Sequence, residues 1–520
     1  MLAGMDKMDR RRFVVAGAAA AASLKSFAQN AAGASGAANA RMARLTLKPQ
    51  VIDAPIVIPA NFVGLSYETQ QLSDPTFFSP QNRGLSAMLR EIAPHGVLRL
   101  GGNTSDYAFW KPTPEAVPPP RKPRPYKVGD PPPDLSYNVT PEAVRNLRGF
   151  LDTTGWTCLY GINLGTNTPE IAADEAAFVA KTLGARLEYF QIGNEADRFG
   201  STIRDPKTWN ADTYFAEWLE FANAIRKRVP NAAFGMPDTA GNPEWYATVV
   251  TRLLALSDAP KIAALTHHYY FTGPPSNPKA TIDNLLRPDA HVDKLYTDIH
   301  AATERLNAQK GRGGHSTVYR MTEGNTCYRG GKPGLSDVFA AALWSADYFL
   351  KLASLGYAGV NLHGGTAKFV AMSLGGKLPG EELMADPNAP HPKPFYTPVA
   401  EIGGKYMLEP VAYGMMFAQR FAGATVVPVD FDAGGVNATA YAAKRADGRE
   451  LIAVINKDAT QALELDLRGW RLAERLTGRS LEANETHLES VIKSGSATKS
   501  SPLHVPAASG AIFERVVSKS

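Results

Sequence analysis

The chain has 520 residues, a net charge of +5, 44% apolar and 20% charged residues. That length allows one large folded domain and a smaller one, and the charged fraction excludes wholesale disorder. A charge this small for the length gives no reason to expect a nucleic-acid partner.

The first segment reads as a leader. Asp9-Arg10-Arg11-Arg12-Phe13 precedes an alanine-rich apolar run from Phe13 to Leu24, and Ser26-Phe27-Ala28 supplies a small-x-small cleavage site. This predicts a twin-arginine signal over residues 1–28 and export to the periplasm or the medium. The run is too short for a bilayer, and no other apolar run is long enough for a membrane span. A small-residue linker is expected over 29–43, then a strand segment over 44–59 that joins a later β-domain.

From residue 60 to 422 strand-like and helix-like segments alternate. The expected strands are Phe62–Tyr67, Val97–Gly101, Trp156–Ile162, Leu187–Ile192, Ala232–Met236, Ile262–Tyr269, Thr317–Met321 and Ala358–Leu362. Thr140-Pro141 reads as an N-cap followed by proline at the first helical position. Trp209–Val229 and Ser336–Leu355 read as longer helices. Eight alternations predict an α/β fold of the (β/α)8 TIM-barrel type. After Phe421 short strands with Gly, Asn and Asp turns replace helical periodicity. They predict a C-terminal antiparallel β-sandwich over 423–520. Two long loops follow the second and eighth strands, Lys111–Leu135 with ten prolines and Gly375–Pro398. Both belong to the catalytic face of such a barrel.

Cys158 and Cys327 are the only cysteines. Both fall in or beside predicted barrel strands, and twin-arginine substrates fold before export, so two free thiols are expected rather than a disulfide. No Cys/His cluster has metal-ligand spacing, so neither metal nor cofactor is expected.

The chemistry gathers where strands end. Leu187-Glu188-Tyr189-Phe190-Gln191-Ile192-Gly193-Asn194-Glu195 is an apolar run stopping in an Asn-Glu pair, and Thr317-Val318-Tyr319-Arg320-Met321-Thr322-Glu323-Gly324 repeats the arrangement. Two carboxylates on the fourth and seventh strands face each other across a barrel mouth, as cleavage of a glycosidic bond requires. A single strand-end Glu would more simply be an ion-paired or capping residue. Two in matching contexts favour catalysis. Arg99, in Leu98-Arg99-Leu100-Gly101-Gly102-Asn103, is placed to keep a nearby carboxylate ionised. In Thr266-His267-His268-Tyr269-Tyr270, alternation points one His/Tyr set inward. Glu68 ends the first strand, Tyr328 follows Glu323 by five residues, and Asn361-Leu362-His363-Gly364-Gly365 ends the eighth.

In this order the motifs resemble glycoside hydrolase family 79, the β-glucuronidase and heparanase group, within the clan that carries its glutamates on strands four and seven. The resemblance runs from Arg44 to Val517. It implies Glu195 as general acid/base and Glu323 as nucleophile, with Arg99 supporting the nucleophile. It implies substrate contacts from Glu68, Asn103, Asn194, His268, Tyr270, Tyr328, His363 and Gly364, with Asn194 on the sugar 2-hydroxyl. Histidine at 363, where some members have tyrosine, departs from the pattern at the sugar carboxylate. Arg121, Lys122 and Arg124 lie where heparanase-like members grip polyanions, although a solvated loop is the simpler reading of these three. The expected activity is a retaining β-glucuronidase acting on a glucuronide oligo- or polysaccharide. The alternatives are an endo-acting heparanase-like enzyme, a clan relative for xylosides or galactosides, and an inactive carbohydrate-binding barrel. Oligomeric state is not legible.

Overall fold

A computed structural model describes residues 40–49, 55–121, 135–309, 316–374, 393–491 and 502–516. The leader expected over 1–28, Lys122 and Arg124 lie outside them. Among the described residues no helix is long and apolar enough to cross a membrane.

Eight parallel strands close into a barrel in sequential order: Val63–Glu68, Val97–Gly101, Thr157–Ile162, Leu187–Ile192, Ala233–Thr239, Lys261–Tyr270, Val318–Asn325 and Val360–Gly364. They are called the first to eighth barrel strands below. Apart from the starts of the fourth, sixth and seventh, they are buried nearly throughout, because side chains fill the barrel inside and helices cover it outside. Of the covering helices, the one expected at Thr140-Pro141 starts there, whereas those expected from Trp209 and Ser336 start at Ala211 and Phe339. Thr140 caps Pro141–Thr154 by accepting the Ala143 N–H, and Thr168 caps Pro169–Leu183 in the same way through Ile171.

The β-domain consists of two sheets. One holds Thr425–Val427, Ala438–Lys444, Arg449–Asn456, Ser509–Val516, Arg471–Gly478 and Thr486–Ser490 in that order, all antiparallel. The other holds Val429–Asp432, Arg41–Leu47, Leu463–Leu465 and Leu503–Val505. The chain's early strand thus sits inside the C-terminal domain, antiparallel to Val429–Asp432 and parallel to Leu463–Leu465. Its first residues, Arg41 to Ala43, fall within the stretch expected as linker; Ala43 is buried between the sheets, which draws them into the strand. Residues 50–54 lie outside the described residues. Cys158 and Cys327 are buried and not joined in a disulfide.

The seventh strand departs from expectation. It runs on to Asn325, so Glu323 stands within it rather than beyond its end. The strand can continue because Glu323 and Asn325 pair in register with His268 and Tyr270 of the sixth.

Candidate active site

Glu195 follows the fourth strand in the left-handed backbone region, φ +46°, and Asp238 near the end of the fifth has φ +56°. Non-glycine residues rarely occupy this region, and where they do the surrounding structure holds them there. Here the Glu195 N–H donates to the Asp238 carbonyl at 3.0 Å.

Two bulges aim the site. Between the sixth and seventh strands Met321 pairs with His267 and Glu323 with His268, leaving Thr322 as the extra residue. Between the fifth and sixth, Pro237 pairs with Thr266 and Thr239 with His267, leaving Asp238 extra. A bulge turns a side chain out of the ladder's alternation. The two bulged residues meet, Thr322 Oγ1 donating to Asp238 Oδ1 at 2.5 Å.

Arg99 lies at the centre, its side chain 1% exposed. Its guanidinium donates to Glu323 Oε2 at 2.6 Å, Asp238 Oδ2 at 2.7 Å, Asn194 Oδ1 at 2.7 Å, Ser66 Oγ at 3.0 Å and Gln191 Oε1 at 3.1 Å. Tyr270 OH donates to the other Glu323 oxygen at 2.9 Å. Burial alone would favour the neutral acid of Glu323, but the nearby cations His363, His268 and Arg99 hold it well below the usual carboxylate range.

Glu195 meets a different partner. His268 Nδ1 is 2.9 Å from Glu195 Oε1, and His268 Nε2 is 3.2 Å from Asp238 Oδ1, an ion pair rather than an aligned hydrogen bond. Burial opposes charge on this ring, yet Asp238 and Glu323 raise its pKa to about 10. The adjacent His267 points the other way, Nε2 3.0 Å from Tyr357 OH, and burial lowers its pKa to about 4. Strand alternation therefore sends two neighbouring histidines into surroundings that shift their pKa in opposite directions.

One oxygen of Glu195, one of Glu323 and a ring nitrogen of His268 lie within 4.8 Å of one another. Three such atoms can hold a cation. A divalent ion here would have to displace the His268 proton and compete with Arg99 for Glu323, so the charge pattern suits a carboxylate pair better than a metal centre.

The floor beside Glu323 is built from Glu68 and His363. Glu68 Oε2 accepts from Thr104 N at 2.9 Å and Thr104 Oγ1 at 2.7 Å. Gly102, φ +74°, passes so close that a Cβ would lie 2.4 Å from that oxygen. His363 Nε2 is 3.5 Å from Glu68 Oε1, and Nδ1 is 3.0 Å from Ser66 Oγ and 3.7 Å from Glu323 Oε2. Burial disfavours its charge, but Glu323 and Glu68 raise its pKa. The side chain at 363, and not only the backbone of His363-Gly364, thus forms part of the site. Tyr328 stands at the mouth, 39% exposed, its ring 5.9 Å from that of Tyr270.

Other expected residues fall elsewhere. Asn103 is exposed at the start of a short 3-10 turn, its place set by the Gly102 bend, and does not join the cluster. Arg121 turns back onto its own loop. It donates to the Leu135 carbonyl and, at 3.1 Å, to that of Tyr107, and lies over the Tyr107 ring, which satisfies its guanidinium locally. The sequence reading missed Ser66, Thr104, Asp106, Gln191, Asp238, Thr322 and Tyr396. Asp238 had a legible signal, a Pro-Asp-Thr step closing an apolar strand. Asp106 had none: its carboxylate accepts the N–H groups of Leu164, Gly165 and Asn194 from two other strand ends.

No protein-family model matches the chain. It is similar in sequence to curated β-glucuronidases. One, from Aspergillus niger, is 28% identical over 341 residues, 60% of each chain. Another, from Neurospora crassa, is 28% identical over 298 residues, 52% of this chain and 50% of that protein. The alignments thus span 60% and 50% of those relatives. In fold, the chain matches a 4-O-α-L-rhamnosyl-β-D-glucuronidase from Fusarium oxysporum 12S with a TM-score of 0.64 at 15% identity, over 91% of this chain and all of that one. A GH51 arabinofuranosidase from Xanthomonas axonopodis pv. citri matches at 0.59 and 14%, over 91% and 99%. These matches fix the fold as the TIM barrel with an accompanying β-domain.

Proposed function

We propose that the protein is a retaining glycoside hydrolase, a β-glucuronidase cleaving glucuronides by double displacement. The observation that carries this is the Glu195–Glu323 pair, with oxygens within 4.8 Å of each other across the barrel mouth. That spacing suits direct attack on the anomeric carbon and leaves no room for the interposed water of an inverting enzyme. The likeness to the curated β-glucuronidases supports the choice of sugar.

In this reading Glu323, ionised among Arg99, Tyr270 and the histidines, attacks the anomeric carbon. Glu195 gives its proton to the departing glycosidic oxygen. The resulting glycosyl ester is then attacked by water, Glu195 taking the water's proton and Glu323 leaving as carboxylate. The ring lies over Glu68 and His363, with its 2-hydroxyl towards Asn194, whose Oδ1 is already oriented by Arg99. His363, whose charged form Glu323 and Glu68 favour, is assigned to the hexuronate carboxylate, and Tyr328 offers an aromatic surface to the departing group. The leader over residues 1–28 would deliver the folded enzyme outside the cytoplasm.

The test is hydrolysis of nitrophenyl β-glucuronide, β-galactoside, β-xyloside and α-arabinofuranoside, with the first product anomer followed by NMR. Turnover of the glucuronide at least tenfold above the others, with β-glucuronate released first, is expected. Release of the α anomer would overturn the retaining mechanism, and preference for another sugar would overturn the substrate.

A further inference from the structure

Asp238 is 1% exposed, so it does not itself meet a substrate. Its contacts divide between the two halves of the site. Oδ2 accepts from Arg99, whose other terminal nitrogen donates to Glu323. Oδ1 accepts from Thr322, the residue before the nucleophile, and from Gln191 Nε2 at 2.7 Å. The same oxygen faces His268, whose far side meets Glu195, and the Asp238 carbonyl accepts the Glu195 N–H.

We infer that Asp238 is the positioning residue common to both catalytic glutamates, fixing Arg99 against Glu323 and His268 against Glu195. The inference rests on the glycosidase reading and adds to it a residue of the fifth barrel strand. Arg99 and His268 are two cations in one buried site, and they repel. Glu323 offsets part of that repulsion, and Asp238 supplies the second anion between them. The groups facing His268 are Asp238, Glu323, Glu195, Asp197, Arg99 and His267. Those facing Asp238 are Arg99, His268 and the phenols of Tyr189, Tyr214 and Tyr246. The backbone fits the same role, since Asp238 is the bulged residue of its strand and meets the bulged Thr322 of another. Asparagine at 238 keeps the shape, removes the charge and turns an N–H₂ towards a donor.

The experiment uses the full chain, with Asp238→Asn and the milder Thr322→Val, which removes only the hydroxyl. Kinetics on nitrophenyl glucuronide across pH are paired with 15N-imidazole NMR of His268, assigned by its loss in His268→Gln. Thermal melting by circular dichroism checks folding. Asp238→Asn should lower kcat roughly 100-fold with KM changed by less than about threefold. His268 should lose its proton at lower pH than in the unsubstituted protein, placing a new ionisation between pH 5 and 8 in the rate profile. Thr322→Val should move kcat and His268 the same way by a smaller step. A folded Asp238→Asn with unchanged kcat, or with His268 titrating as before, overturns the inference. If that variant does not fold, unchanged kcat and titration in Thr322→Val overturn it instead. Should the unsubstituted protein cleave no glycoside, the glycosidase reading fails while the NMR comparison still reports on Asp238.

Discussion

Glu195 and Glu323 carry the same side chain in different surroundings. Glu323 accepts from a guanidinium and a phenol, and two histidines add positive charge. Glu195 meets His268, with its side chain 21% exposed against 8% for Glu323. The more enclosed carboxylate, held by a guanidinium and a phenol, suits a nucleophile, and the more accessible one suits the residue that exchanges protons with the leaving group and later admits water. Glu323→Ala should abolish turnover, and azide should restore it while giving the inverted α-glycosyl azide, detectable by NMR; rescue with the β product would reverse the assignments. Glu195→Ala should leave glucuronides with very good leaving groups close to their original rate. Poor leaving groups should slow by roughly 10²–10⁴-fold, the usual contribution of a general acid. Equal losses across a series of aryl glucuronides would remove Glu195 from that role.

Strand ends were the legible elements, and for a physical reason. A buried strand must be apolar along its length, so polar residues mark its end in the sequence as they do in space. That placed Glu68 at the end of the first strand and Glu195 just past the fourth, whereas Arg99 and His268 lie within the second and sixth. The continuation of the seventh strand through Glu323 was not visible, because it depends on pairing with His268 and Tyr270, residues far away in sequence. Asp106 and Tyr396 were hidden for the same reason. Tyr396 sits in the loop after the eighth strand with its ring 5.8 Å from His363, and no periodicity marks a loop residue. The β-domain strands Arg471–Gly478, Thr486–Ser490 and Leu503–Val505 were not legible, since the first two mix charged and apolar residues and the third has only three residues. Two elements yield predictions. Gly102→Ala would drive a methyl into the Glu68 carboxylate and strain a backbone at φ +74°. It should raise KM for the glucuronide more than it lowers the melting temperature, and the reverse outcome would remove Glu68 from the sugar site. Glu175, on the helix Pro169–Leu183, accepts from Tyr160 OH at 2.8 Å, and burial raises its pKa to about 7. The folded protein therefore keeps a proton that the unfolded chain releases near pH 4.5, so this group makes stability fall from about pH 4.5 to 7 and stay level above. Glu175→Gln should flatten that fall in urea titrations, by at most about 3 kcal/mol at neutral pH.

Barrel and β-domain share one core across their boundary. Leu451, Ala453, Ile455, Leu476 and Ile512 of the six-stranded sheet pack with the barrel's outer helices, while Val454, Phe513 and Leu463 fill the space between the two sheets. The helix Phe339–Ser354 is the hinge of this contact. Its first amides, of Phe339 and Ala340, donate to the carbonyls of Ala483 and Leu481 at 2.7 and 2.9 Å, so the β-domain caps a barrel helix. Further along the same helix Asp347 accepts from Thr439 Oγ1 at 2.7 Å, Tyr441 OH at 2.6 Å and the Lys457 ammonium. Burial opposes ionisation of Asp347, but Lys457 and the two hydroxyls lower its pKa. That helix precedes the strand carrying His363, so docking of the β-domain bears on the barrel's eighth strand. Lys457→Met would leave Asp347 charged, buried and short of its cation, costing about 3–5 kcal/mol. Adding Asp347→Asn removes the stranded charge and should restore most of that loss. Melting curves of the single and double variants decide it: a double variant as unstable as Lys457→Met would mean that the lysine acts through its packing rather than its charge.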